Sequence, residues 1–399
     1  MEPLLCALGA LLIRAGFAIH GAGMSRSKNS AGAVVRHLCD FCVAVLAFWA
    51  IGYAIISSGS RFFGVRGGAL FGINESETPM MIVQTVAVLI ATGIVPGVLA
   101  ERARFWPSLA SAILLAAVVV PVVVLWTLKW VDQEGWLART GYTDAGGAGW
   151  LHLPGALCAA VGAVFVGART GKFNRDGSST AIPGHSLPLV GVGVFVQLLG
   201  FFFFVTATAG SHAYTAAMNV LLAGAAGGVA STLLGKFRYY KPDIHLTYAG
   251  VIGALVAISA GAGVVPGLGA VLIGAVAGVV VPMAILSLDV MLRIDDPSGG
   301  IAIHGGGAIW GLIATPLVAR GLTTGQRFKT LGAQLLGTAA IALLTVVLSV
   351  VLWTLLKRLG KVRASEADEF DGLDLAEHDV GAYPDFQQNT IKSYHLREV

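Results

Sequence analysis

A chain of 399 residues that is 56% hydrophobic and only 12% charged, with mean hydropathy +0.78, is not built to fold in water, where domains carry about 25% charged residues. The formal charge of +4 comes from Lys and Arg clusters at the edges of apolar runs, which argues against nucleic-acid binding. No metal triad, nucleophile motif or nucleotide loop stands out, so neither an enzyme nor a cofactor or bound metal is expected.

The chain starts Met1-Glu2-Pro3 and enters an apolar run without a basic stretch, so no cleavable signal is expected. Runs of ~20 apolar residues are the signature of membrane-spanning helices. Eleven occur, at 3–23, 38–58, 79–99, 106–128, 149–167, 186–209, 214–235, 245–263, 266–289, 301–319 and 330–356. The eighth is the weakest, being short and rich in Gly and Ala. The 53 glycines fit closely packed helices in a bilayer. Cys39 and Cys42 have the spacing of half a metal site, but no second pair lies nearby. With Cys6 and Cys158 they read as reduced, packed thiols.

Lys and Arg in short loops favour the cytosolic side. With the N-terminus outside, inner segments carry sixteen of them and outer loops seven, so the reading is N-out and C-in. Residues 1–363 form the membrane domain. Residues 364–399 form a cytosolic tail holding nine of the 22 acidic residues. Tyr383-Pro384-Asp385-Phe386 gives that tail apolar anchors for docking on the inner face, against the alternative of a solvated end.

Two histidines break the apolar pattern. His152 sits in Trp150-Leu151-His152-Leu153-Pro154-Gly155-Ala156 and His304 in Ile303-His304-Gly305-Gly306-Gly307-Ala308. A polar group in a lipid-spanning helix usually faces a cavity or a partner. They fall in the fifth and tenth runs, which suggests two five-helix halves, the second inverted, plus one extra helix, with a site between the halves. The alternative is two unrelated histidines, each bonded within its own helix. Arg14, in the middle of the first run, needs an acidic partner such as Asp40, or faces the same pathway.

The chain resembles the ammonium transporter family (Amt/Mep/Rh) over essentially its whole length. The matches are Gly23-Met24-Ser25-Arg26-Ser27-Lys28-Asn29 as a first inner loop, Ala100-Glu101-Arg102-Ala103-Arg104-Phe105 after helix three, and Asp144 with Gly146-Gly147 before His152. Pro183-Gly184-His185-Ser186-Leu187-Pro188-Leu189 precedes helix six, and Asp295-Asp296-Pro297 precedes His304. The tail is similar in Gly372-Leu373-Asp374-Leu375-Ala376-Glu377-His378 and Ala382-Tyr383-Pro384. The resemblance implies a homotrimer in the cell membrane with one path per subunit. It implies His152 and His304 as a twin-histidine pair and Asp144 as a mainly structural cap near the outer mouth. It also implies a tail, with Gly372, Asp374 and Tyr383, that meets a trimeric PII-type regulator. The substrate implied is ammonium, captured outside, deprotonated and passed as ammonia.

The match weakens at the outer mouth, where the family presents an aromatic cage. Aligned without gaps, its helix-three phenylalanines fall on Val83 and Ala87, with Gln84 kept between them. Its tryptophan falls on Asp132, two residues after Trp130. In helix six a gate-like phenylalanine falls on Phe204, a tryptophan position on Phe201 and the serine on Thr208. Before His304, an acid usual in the family is replaced by Gly299. His20 stands where the family has an aromatic near the inner side, either extending a proton relay or capping a helix. Three readings follow: an ammonium transporter with a remodelled outer site, a transporter of a larger amine or other cation on the same fold, or an ammonium sensor without useful flux.

Overall fold

The computed structural model describes residues 2–72, 75–130 and 133–384. Helices dominate, and each starts where its sequence offers a stop to the preceding loop. The spans are α1 Pro3–Met24, α2 Ser27–Ile56, α3 Glu75–Val98, α4 Phe105–Thr127, α5 Ala148–Val166, α6 Leu187–Thr208, α7 Gly210–Tyr239, α8 Ile244–Ser259, α9 Gly267–Val290, α10 Ile301–Val318 and α11 Thr324–Leu359. Two short tail helices follow, α12 Glu366–Asp371 and α13 Leu373–His378. Ten spans are long and apolar enough to cross a membrane, and α8 is the shorter apolar helix. Ser186 caps α6 through the Leu189 N–H, Asp243 caps α8 through Leu246, and Thr323 with Gln326 forms a capping box on α11. The only paired strands among the described residues are two-residue pieces, Lys129–Trp130 against Gln133–Glu134.

Two expectations shift at helix ends. The inner loop read at Gly23–Asn29 shrinks, because α2 begins at Ser27 with a 3-10 turn that runs straight into the span. The eighth run stops at Ser259 rather than 263. There the Ser259 and Ala260 carbonyls turn outward and accept the N–H groups of Gly146 (2.9 Å) and Ala145 (3.4 Å), so the loop before α5 ends α8.

Helices α3, α4 and α5 are mostly enclosed, while α7, α9 and α11 turn most of their side chains outward. The most extensive packing between helices is α1 along α6. Gly9, Gly16 and Gly23 recur every seven residues on α1 and face α6, Gly9 at Gly200, Gly16 at Gly193 and Gly23 at Ser186 and Val190. A Cβ on Gly16 would lie 2.9 Å from the Gly193 carbonyl oxygen, and one on Gly200 only 2.5 Å from the Ile13 nitrogen. Small residues at this spacing let two backbones touch along a seam.

The segments after α1, α3 and α5, the one before α10, and the tail gather at one end of the bundle. The fully buried Arg102 holds them, donating to the carbonyls of Val98 (2.6 Å), Gly167 (2.8 Å) and Asp295 (2.6 Å). With eleven helices in the bundle, the start of α1 and the end of α11 lie on opposite faces.

Candidate functional site

Both histidine-bearing helices begin the same way. Each opens with a π turn, Ala148–His152 in α5 and Ile301–Gly306 in α10. A π turn adds one residue to the turn and re-aims the side chains that follow, and it recurs at functional sites. Each is also preceded by a carboxylate eight residues before the histidine. Asp144 Oδ1 accepts the N–H groups of Gly147 (3.1 Å) and Ala148 (3.0 Å), and Oδ2 accepts those of Gly149 (2.6 Å) and Trp150 (3.1 Å). Asp296 does the same for α10, accepting from Ser298 (3.2 Å) and Ile301 (2.7 Å). Free N–H groups at a helix start attract negative charge, and a carboxylate there fixes the start of the helix.

The result is a stack of rings in the middle of the bundle. His152 and His304 lie nearly parallel, at 11°, with centroids 5.0 Å apart. Phe201 of α6 covers the other face of His152 at 5.3 Å, and Phe17 of α1 meets His304 edge-on at 5.1 Å. All four rings are buried. Yet both ring nitrogens of His152 and Nδ1 of His304 have no hydrogen-bond partner among the described residues. An unmet buried donor or acceptor costs roughly 1–3 kcal/mol. Such a pair suits transient partners, because a neutral imidazole offers one donor and one acceptor.

Two cavities lie beyond the pair. One of about 30 Å³ is lined by His304, His20, His37, Gln197 and Ser298. The next, about 270 Å³, opens toward the inner end and is lined by His20, His245, Tyr248, Lys172 and Ser298 among others. His20, Ser298 and Ile303 belong to both walls.

The profile of the Ammonium Transporter Family matches residues 3–383. The chain belongs to that family. It is 32% identical to the ammonium transporter Amt2 of Archaeoglobus fulgidus, over 96% of this chain and 87% of that protein. A solved structure described as a Sensor Amt Protein superposes with a TM-score of 0.90 at 28% identity, covering 95% of this chain and 98% of that one. Mep2 of Candida albicans shares the fold at 23% identity, with a TM-score of 0.80 over all of this chain and 93% of its own. The protein is a multi-pass membrane protein of the cell membrane, from a family of transporters rather than enzymes.

Set against the family pattern, one sequence assignment needs correction. The ring over His152 is Phe201, not the Phe204 read as gate-like. Phe204 is instead buried on the α1 seam, with its backbone nitrogen 2.3 Å from where a Cβ on Gly9 would stand. Gly299 does stand where the family's acid between Pro297 and His304 is expected, and the separately matched Asp296, before Pro297, caps α10 as Asp144 caps α5. Thr208 spends its hydroxyl on the Val205 carbonyl (3.1 Å), at the end of α6. Gln84 is buried on α3, and its Nε2 lies 3.9 Å from Met80 Sδ. Asp132 lies outside the described residues. His20 lines both cavities. Arg14 forms the expected ion pair with Asp40. Phe17 and His37 went unnoticed, although Phe17 is one turn before His20 on the same helix face.

The inner end is held by charge. Asp295 receives Arg169 at 2.8 and 2.9 Å and lies 4.0 Å from Arg102. Burial raises the Asp295 carboxyl, but the Arg169 hydrogen bonds and the two guanidinium charges outweigh it and hold it down to about 2. A carboxylate with a lowered folded pKa adds stability above its ordinary value of 3.8, lost as pH falls toward about 2. Asp295→Asn leaves the buried Arg102 without its anion and Arg169 with only Glu101 at 3.5 Å, and is expected to cost about 3–5 kcal/mol. Thermal unfolding in detergent at pH 7 reads the loss, and an unchanged midpoint would show the cluster contributes nothing.

The tail docks on the same end. Asp374 caps α2 by accepting the Ala31 (3.0 Å) and Gly32 (2.6 Å) N–H groups. Glu377 accepts the Phe105 N–H at the start of α4 (2.9 Å) and pairs with Arg36 (2.7 Å). Glu369 accepts the Thr170 N–H (3.0 Å) and pairs with Arg363 (2.6 Å). The Tyr383 hydroxyl lies 2.7 Å from His185 Nε2. Gly372 makes the turn between α12 and α13 at φ +103, where a Cβ would stand 2.5 Å from the Lys28 carbonyl oxygen. Gly372→Val is therefore expected to undock the tail and speed its limited proteolysis roughly tenfold or more. Wild-type cleavage rates in that variant would show that the turn does not hold the tail.

Proposed function

We propose that the chain carries ammonium nitrogen across the cell membrane, as ammonia past His152 and His304. The observation that carries this reading is the pair of stacked, buried imidazoles with unpartnered nitrogens at the centre of the bundle. Moving a bare cation into so dry a place costs on the order of 20 kcal/mol before relaxation. Ammonia needs only a hydrogen-bond partner at each step, which the free imidazole nitrogens offer. Ammonium collects at the outer mouth, near Asp144 and Gln84. It loses one proton to an imidazole: one N–H bond of the cation breaks as one forms on the ring. Phe201 covers the approach to His152, and His20 continues the polar wall inward. The subunit works in a homotrimer. The docked tail, through Gly372, Asp374 and Tyr383, is a surface on which a PII-type regulator acts.

A second reading has its own support. The likeness to a protein described as a sensor favours binding with little flux. One assay separates the readings: purified protein in liposomes, exposed to ammonium, methylammonium and larger amines, with current and isotope uptake recorded together. Ammonium responses that exceed all others support transport. Responses only to larger amines support a changed substrate. Saturable ammonium binding without current or uptake supports the sensor.

A further inference from the structure

Arg14 and Asp40 face one another inside the bundle, and the Arg14 Nη2 also donates to the His37 carbonyl oxygen at 2.5 Å. All three residues are at most 5% exposed. A pair held only for stability would meet its hydrogen-bonding needs. Here Arg14 Nε and Nη1, Asp40 Oδ2 and His37 Nδ1 have no partner among the described residues. Room has also been made for them. A Cβ on Gly93 of α3 would stand 2.1 Å from Arg14 Nη1, and one on Gly21 of α1 3.0 Å from His37 Nε2. The 30 Å³ cavity joins this cluster to the histidine pair, since His37 and His304 line the same space with His20, Gln197 and Ser298. A cavity of that size with several polar groups in its wall is large enough for a water.

We propose that His37, backed by the Arg14–Asp40 pair, takes the proton that the cargo leaves on the histidine pair and holds it apart from the ammonia. This rests on the transport reading above. The step is a relay through one water. An N–H bond of the protonated His304 breaks as the cavity water accepts that proton, and the water gives another of its protons to a free nitrogen of His37. The water is unchanged, and one positive charge has moved from His304 to His37. The groups around His37 are Arg14 and His20 on α1, Arg36 and Asp40 on its own helix, and His304 on α10. Asp40 offsets Arg14, so the added proton meets a nearly neutral pair rather than a lone guanidinium. From His37 the proton leaves through His20, which also faces the inner cavity and His245.

The test compares charge with cargo. Wild type and His37→Gln are reconstituted in liposomes, with ammonium-driven current and labelled methylammonium uptake measured on the same preparation. The variant is expected to keep uptake within about twofold of wild type while current falls at least about tenfold, the scale of a lost proton-transfer group. A packing defect would lower both together. An unchanged ratio of charge to cargo overturns the proposal and leaves transport standing. Wild-type uptake with no charge movement overturns it too, again without touching transport. Absence of both in wild type removes the transport reading and this proposal with it. If His37→Gln does not fold, the paired variant Arg14→Gln with Asp40→Asn, whose charge changes cancel, is read in its place. It is expected to lower the charge-to-cargo ratio severalfold, and an unchanged ratio overturns the proposal.

Discussion

His152→Ala is expected to cut ammonium-driven current by roughly 100-fold or more, the scale on which a positioned acid–base group acts. His152 is the middle ring of the stack, with Phe201 on one face and His304 on the other. Its removal takes away both free nitrogens and leaves a gap that Phe201 can fill. His304→Ala is expected to match it in current, but it spares the contact between Phe201 and His152. The two variants should therefore differ in stability while agreeing in function. Thermal midpoints in detergent alongside liposome currents measure both quantities. Wild-type currents in both variants would end the case for the pair.

Asp144→Ala is expected to lose the folded protein. Four N–H groups at the start of α5 end on this one carboxylate. Each buried donor left without an acceptor costs about 1–3 kcal/mol, and a typical domain holds only ~5–15 kcal/mol in total. The π turn that aims His152 begins among those donors, so any surviving protein should also be inactive. Asp144→Asn keeps one carbonyl acceptor and is expected to fall between. The monodisperse yield after size exclusion reads the effect. Normal yield with normal current for the alanine variant would show that the cap is dispensable.

The spans were legible because lipid imposes a length and a composition that water does not. Both histidines were legible because a polar residue stands out in such a run. What failed was register. Phe201 and Phe204 differ by three residues in an unbroken aromatic stretch, and no sequence pattern says which one turns toward His152. Asp296 was matched before Pro297, but its capping role shows only in the N–H groups it accepts. His37 looks like any packed histidine until α1 and α10 are brought beside it. The tail contacts join residues some 340 positions apart, such as Asp374 with Gly32, and Asp374 also lies too far along the chain for helix-capping rules to suggest it.

The seam between α1 and α6 has a further meaning. Phe17 and His20 project from one of these helices, Gln197 and Phe201 from the other, and glycines between the two helices decide how near they come. The calibre of the passage is thus set from behind its walls. A single methyl group at Gly193 would press on the His20 backbone and widen the gap without replacing any residue that a passing molecule meets. Selectivity in such a protein can drift through residues that never touch the cargo.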